Sequence, residues 1–176
     1  MDSKFTDQKE ALAMAIEMEE KGHDFYQKTA AKAADNLTRG VFEFLAGEEL
    51  KHIESIKVFY EAEMTGKTVD YDKVIKDSSS ETAKNAIIKL FAGLEKKAPT
   101  DKPDLEAYKF ARDFEKNGEK FYQEAAAKAS DPQVKKLFSF LVEEEGRHWQ
   151  MIDDSIAFLE DPGEWFHRME KWHVEG

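Results

Sequence analysis

The 176-residue chain is 41% hydrophobic, which suits one buried core and is too short for two ordinary domains. Its 37 acidic against 26 basic residues give a formal charge of −11, which disfavours nucleic acid and anionic membrane surfaces and makes cations the natural partners. With no cysteine, disulfides, thiolate zinc sites and iron–sulfur clusters are excluded, and any metal must be held by oxygen and nitrogen.

The opening MDSKFTDQKE is polar and leads directly into helix periodicity, and no apolar run approaches the ~20 residues of a membrane span, so a soluble cytoplasmic protein is expected. Apolar residues recur at three- and four-residue steps, and only four prolines interrupt them, which predicts an all-α fold. In chain order the helices are expected at 7–34, 37–64, 104–129 and 132–160. Ser78-x-x-Glu81 reads as a capping box opening a shorter helix to about Lys97, with the stripe Ala83, Ile87, Leu90, Phe91 and Leu94 and the breakers Pro99 and Pro103 beyond it. Residues 65–103 are too long for a simple turn and are expected to cross a bundle roughly 40 Å long at ~1.5 Å per residue. The stretch 161–176, opened by Asp161-Pro162-Gly163, reads as a packing tail behind a bundle spanning 1–160.

The chain repeats itself. A shift of 96 positions aligns residues 15–54 with 111–150 without a gap, with 17 of 40 positions identical. Each half, 7–64 and 104–160, therefore reads as a helical hairpin, broken at Asp35-Asn36 or Ser130-Asp131-Pro132, where Asp, Asn and Ser cap the next helix and proline suits its first turn.

Along the second helix the inward positions step through Phe42, Leu45, Glu49, His52, Ile56 and Phe59; along the fourth long helix they step through Phe138, Leu141, Glu145, His148 and Ile152. A carboxylate and an imidazole thus interrupt both core stripes at equivalent repeat positions. An ionised carboxylate buried there costs several kcal/mol unless paired or metal-bound. In the first helix Glu19 lies beside the stripe of Ala15, Met18, Gly22 and Phe25, while Glu17 and Glu20 turn outward; Glu19 maps onto Glu115 in the repeat. Tyr26 and Tyr122 stand seven residues beyond these glutamates as candidate hydrogen-bond donors to them. Four carboxylates and two neutral imidazoles carry −4, which two divalent cations balance, and mixed oxygen and imidazole ligation suits iron or manganese.

Through AIEMEEKGHDFY, EELKH, DFEKNGEKFY and EEEGRH the chain resembles the rubrerythrin and ferritin-like superfamily over roughly residues 7–160. The resemblance implies a ferritin-like four-helix bundle with two iron ions per chain, or manganese or a mixed pair. It implies that Glu49 and Glu145 bridge the metals, that Glu19 and Glu115 are terminal ligands, and that His52 and His148 bind one metal each. Two departures stand out. Full-length rubrerythrins take electrons through a four-cysteine rubredoxin domain, which a chain without cysteine cannot form. They also place a further metal-switching glutamate three residues beyond the third-helix ligand, where this chain has Gly118; Glu119 is expected to face outward.

The expected activity is reduction of hydrogen peroxide or dioxygen with electrons from an external donor protein such as a rubredoxin. The alternatives are a ferroxidase that stores or buffers iron and a helical interaction protein with a structural metal. A homo-oligomer, a dimer first, is expected. Glu48, Glu143 and Glu144 fall off the inner stripe and are assigned to a solvated face. His23, His167 and His173 are assigned to the surface, and Trp165 and Trp172 to covering apolar surface or a subunit contact.

Overall fold

The computed structural model describes residues 5–78 and 105–167. Within them lie α1 (Gln8–Lys32), α2 (Asn36–Thr65), α3 (Tyr71–Ser78), α4 (Leu105–Lys128) and α5 (Pro132–Glu160), with a final helical turn at 162–167 and no strand among the described residues. Aspartates begin three of the long helices. Asp7 accepts the N–H groups of Lys9 and Glu10, both at 2.9 Å; Asp35 accepts that of Thr38 at 2.8 Å; Asp131 accepts that of Gln133 at 2.6 Å. Each supplies an acceptor to amides that have no partner inside the helix, and Pro132 follows at a position where no amide is missed. Gly66 ends α2 with φ of 70°, a left-handed conformation that glycine adopts without steric cost.

The hairpins α1–α2 and α4–α5 pack face to face. Tyr26 reaches Glu115 while Glu19 reaches Tyr122, so α1 and α4 run antiparallel. Phe42 and Leu45 share a cluster with Ile152 and Ile156, and Ile56 and Phe59 share another with Phe138 and Leu141, so α2 and α5 do the same. Two apolar clusters result, one at each end of the bundle. Between them lies a belt of buried polar side chains: Glu19, Glu49, His52, Glu115, Glu145 and His148. Gln8 ties the hairpins together at one end, its Oε1 accepting the N–H groups of Ser130 and Asp131 at 3.1 and 3.0 Å.

The start of the crossover differs from expectation. Asp70 caps α3, accepting the Lys73 N–H at 3.1 Å, and the Tyr71 ring lies 4.6 Å from that of Phe59, so α3 covers one apolar cluster. Ser78, expected to open a helix, belongs to α3 instead, and its hydroxyl donates to the Lys51 carbonyl at 3.3 Å. Glu81, the stripe Ala83 to Leu94, Lys97, Pro99, Pro103, Trp172 and His173 lie outside the described residues. At the other end Asp161 stops α5 and accepts the Glu164 N–H at 3.0 Å, which turns buried Trp165 onto Phe158 at 5.6 Å. No helix among the described residues is long and apolar enough to cross a membrane.

Candidate metal centre

Each hairpin contributes three groups to the belt. The first helix of a pair brings one glutamate, and the second brings a glutamate and a histidine three residues apart, which helical geometry places on one face. All six side chains are no more than 2% exposed. They form two groups in which one candidate ligand atom per residue lies within 4.8 Å of every other: Glu19, Glu49, His52 and Glu145, then Glu49, Glu115, Glu145 and His148. Glu49 and Glu145 belong to both, whereas each of the other four belongs to one.

The imidazoles turn Nδ1 toward the carboxylates. His52 Nδ1 lies 3.2 Å from Glu19, 3.8 Å from Glu49 and 4.0 Å from Glu145; His148 Nδ1 lies 3.4 Å from Glu115 and 3.6 Å from Glu49. The two rings stack at 5.4 Å between centroids. Several of these atoms are buried without a hydrogen-bond partner among the described residues: one oxygen each of Glu49, Glu115 and Glu145, Nε2 of His52 and both ring nitrogens of His148. Buried lone pairs in that state are costly. A pair of divalent cations would satisfy the carboxylate oxygens and Nδ1 of His148 and would balance four carboxylates, so the donor set fits a two-metal site.

Without metal the belt must hold protons instead. Burial opposes charge on His52, yet hydrogen bonding and attraction to Glu19 and Glu49 outweigh it and push its pKa up to about 10. His148 also rises despite its burial, driven by Glu115 and Glu49. Burial and the neighbouring carboxylates push Glu49 and Glu145 up. Glu19 goes the other way: burial would raise it, but hydrogen bonds from Glu49, His52 and Tyr122 hold it below the usual range. Burial, reinforced by the nearby carboxylates, raises the phenols of Tyr26 and Tyr122, which therefore keep their protons and donate.

The tyrosine contacts cross between hairpins. Tyr26 donates to Glu115 and Tyr122 to Glu19, not each to the glutamate of its own helix. Seven residues are about 10 Å along a helix, too far for a direct bond, and the antiparallel pairing of α1 with α4 brings each phenol beside the other glutamate. Glu48 and Glu144 correct the expectation of a solvated face: they are 3% and 0% exposed. Each lies one turn ahead of its histidine and bonds a basic residue three positions on, Lys51 at 2.7 Å and Arg147 respectively. The buried arcs of α2 and α5 are wider than the stripe through their core residues, since Ser55 and Ser155 are buried as well. Wheel position relative to the histidine, at i−4, was the available signal.

Glu143 is exposed as expected, and Glu119 turns to Lys116 and Gln123. His167 is exposed; His23 is partly buried, 3.8 Å from Asp24. At Gly118 a Cβ would lie 2.4 Å from the Glu145 carboxylate, whereas at the repeat-equivalent Gly22 the nearest atom is a Phe114 ring carbon at 2.9 Å.

Neither the curated proteins nor the solved structures compared with this chain give a match. A family model does: that of rubrerythrin, over residues 10–156, which takes in both hairpins and all six belt residues. The chain belongs to the rubrerythrin family.

Proposed function

We propose that the belt is a di-iron centre that reduces hydrogen peroxide, or dioxygen, with electrons delivered by a separate donor protein such as a rubredoxin. The observation that carries this reading is the pair of buried donor groups sharing Glu49 and Glu145. Glu19 and Glu115 would complete the set as terminal carboxylates, and His52 and His148, each in one of the two groups, would each hold one metal. When bound, two ferrous ions supply one electron each, which with two protons converts one peroxide to two waters. The chain's own residues supply geometry. Tyr122 and Tyr26 hold Glu19 and Glu115 in place from the opposite hairpin, and the apolar clusters on either side keep bulk water out. Burial of all six groups restricts the substrate to a very small molecule.

No cysteine is available to build an iron–cysteine electron inlet from this chain, hence the external donor. The formal charge of −11 favours a second reading, a ferroxidase that gathers ferrous ion. Rapid mixing of the di-ferrous protein with peroxide tests both, at about one peroxide per two irons, and mass in solution separates them: the reductase stays a small assembly, a dimer first, whereas storage requires a large shell with a mineral core. Oxidation no faster than that of free ferrous ion sinks both.

A further inference from the structure

The belt leaves one set of buried atoms unexplained. Among the described residues, Nε2 of His52 and Nε2 of His148 have no partner, and neither does one oxygen of Glu144, although its other oxygen is paired with Arg147. A carboxylate oxygen of Glu144 and one ring nitrogen of each histidine lie within 4.8 Å of one another. Glu144 is fully buried, one helical turn ahead of His148, and its basic partner Arg147 reaches out to solvent at 48% exposure. At the repeat-equivalent Glu48 the same burial and pairing recur: it lies one turn ahead of His52, is paired with Lys51 and has, among the described residues, one oxygen without a partner.

An imidazole that gives Nδ1 to a metal must carry its proton on Nε2, and in a dry interior that N–H needs an acceptor. We infer that Glu144 is a positioning residue for the histidines: its buried carboxylate accepts the Nε2 proton, fixes the tautomer that aims Nδ1 inward, and is held in place by Arg147 at the surface. The inference rests on the di-metal reading of the belt. A carboxylate behind a histidine ligand raises the basicity of the ring and holds its orientation, and losing such a partner weakens metal binding by about 10–100-fold.

Anaerobic cobalt(II) titration of the purified chain tests it, read by affinity, by the visible spectrum of the bound ion and by the paramagnetically shifted N–H resonances of the imidazoles. Wild type should bind two cobalt ions per chain and show ring N–H signals that persist in water. Glu144→Leu should still bind two, with affinity reduced by about 10–100-fold, an altered spectrum and an N–H signal lost to exchange. Glu144→Gln keeps the shape and a weaker, neutral acceptor, so its affinity should fall less and its N–H signal should shift. If Glu144→Leu fails to fold, Glu144→Gln decides alone. Unchanged affinity and N–H signals in the variants overturn the inference, as does a third cobalt ion in wild type that Glu144→Leu loses, which would make the trio a cation site. Fewer than two ions in wild type overturns the di-metal reading itself, a result distinct from either.

Discussion

Gly118 sets the backbone of α4 directly against the belt. A Cβ there would sit 2.4 Å from Glu145 Oε2, a distance at which the carboxylate must move. Since Glu145 belongs to both donor groups, Gly118→Ala is expected to leave the helices folded and to lower bound iron below two per chain, read by metal analysis beside far-ultraviolet circular dichroism. Gly118→Glu should do the same and not add a ligand. At Gly22 the obstacle is the edge of the Phe114 ring, and Glu49 lies at an ordinary 3.5 Å, so Gly22→Ala should keep both ions. Tyr122→Phe removes the donor on Glu19 and leaves a buried carboxylate oxygen short of a partner. Hydrogen bonds to charged groups contribute about 1.5–3 kcal/mol, and denaturant unfolding of the metal-free protein should register a loss of that order. An unchanged midpoint would mean that the phenol contributes nothing to holding Glu19. That Glu19 and not Glu17 or Glu20 is buried was legible from the wheel, because a helix shows its period in sequence. The partner of each tyrosine was not, because it depends on which helix of the other hairpin lies alongside.

The same division holds for whole elements. The four long helices announce themselves through apolar steps, three of them through aspartate caps as well, and the caps carry measurable stability. Asp131→Ala should cost about 1 kcal/mol, since two amides at the start of α5 lose their acceptor. Chemical denaturation checks this, and Asp131→Asn should recover most of the loss. The eight-residue α3 went unread because its signal is one aspartate ahead of a single amphipathic turn pair, and its stability comes from contacts such as Tyr71 on Phe59 that only the tertiary fold supplies. Glu48 and Glu144 were misread for a related reason. A stripe drawn through the apolar residues misses positions whose burial is made tolerable by a salt bridge to a neighbour, as Lys51 and Arg147 provide.

At the scale of the molecule the belt separates two apolar clusters, so its ionisation is coupled to the stability of the whole bundle. In the metal-free protein His52 has a pKa raised from 6.5 to about 10, and Glu49 one raised from 4.5 to about 8. Both groups hold protons more tightly folded than unfolded. Their contribution is therefore present below the unfolded pKa and is lost as pH rises, across about 4.5 to 8 for Glu49 and 6.5 to 10 for His52. Glu19, held down to about 2, acts in the opposite sense, but its window lies below 4.5. Metal binding has the reverse dependence, because ligands must shed these protons before they coordinate, so affinity rises with pH. The chelator-treated protein should accordingly lose stability from pH 6 to pH 9, while the gap between it and protein in excess ferrous or manganous ion widens. At a free metal concentration 100 times the dissociation constant that gap is about 2.7 kcal/mol, and it grows as the constant falls. Denaturant midpoints of both forms at three pH values, kept anaerobic where iron is used, provide the measurement. A metal-free protein that becomes more stable toward pH 9 would show that the belt is not held together by shared protons, and a gap independent of pH would show that the metal does not replace them.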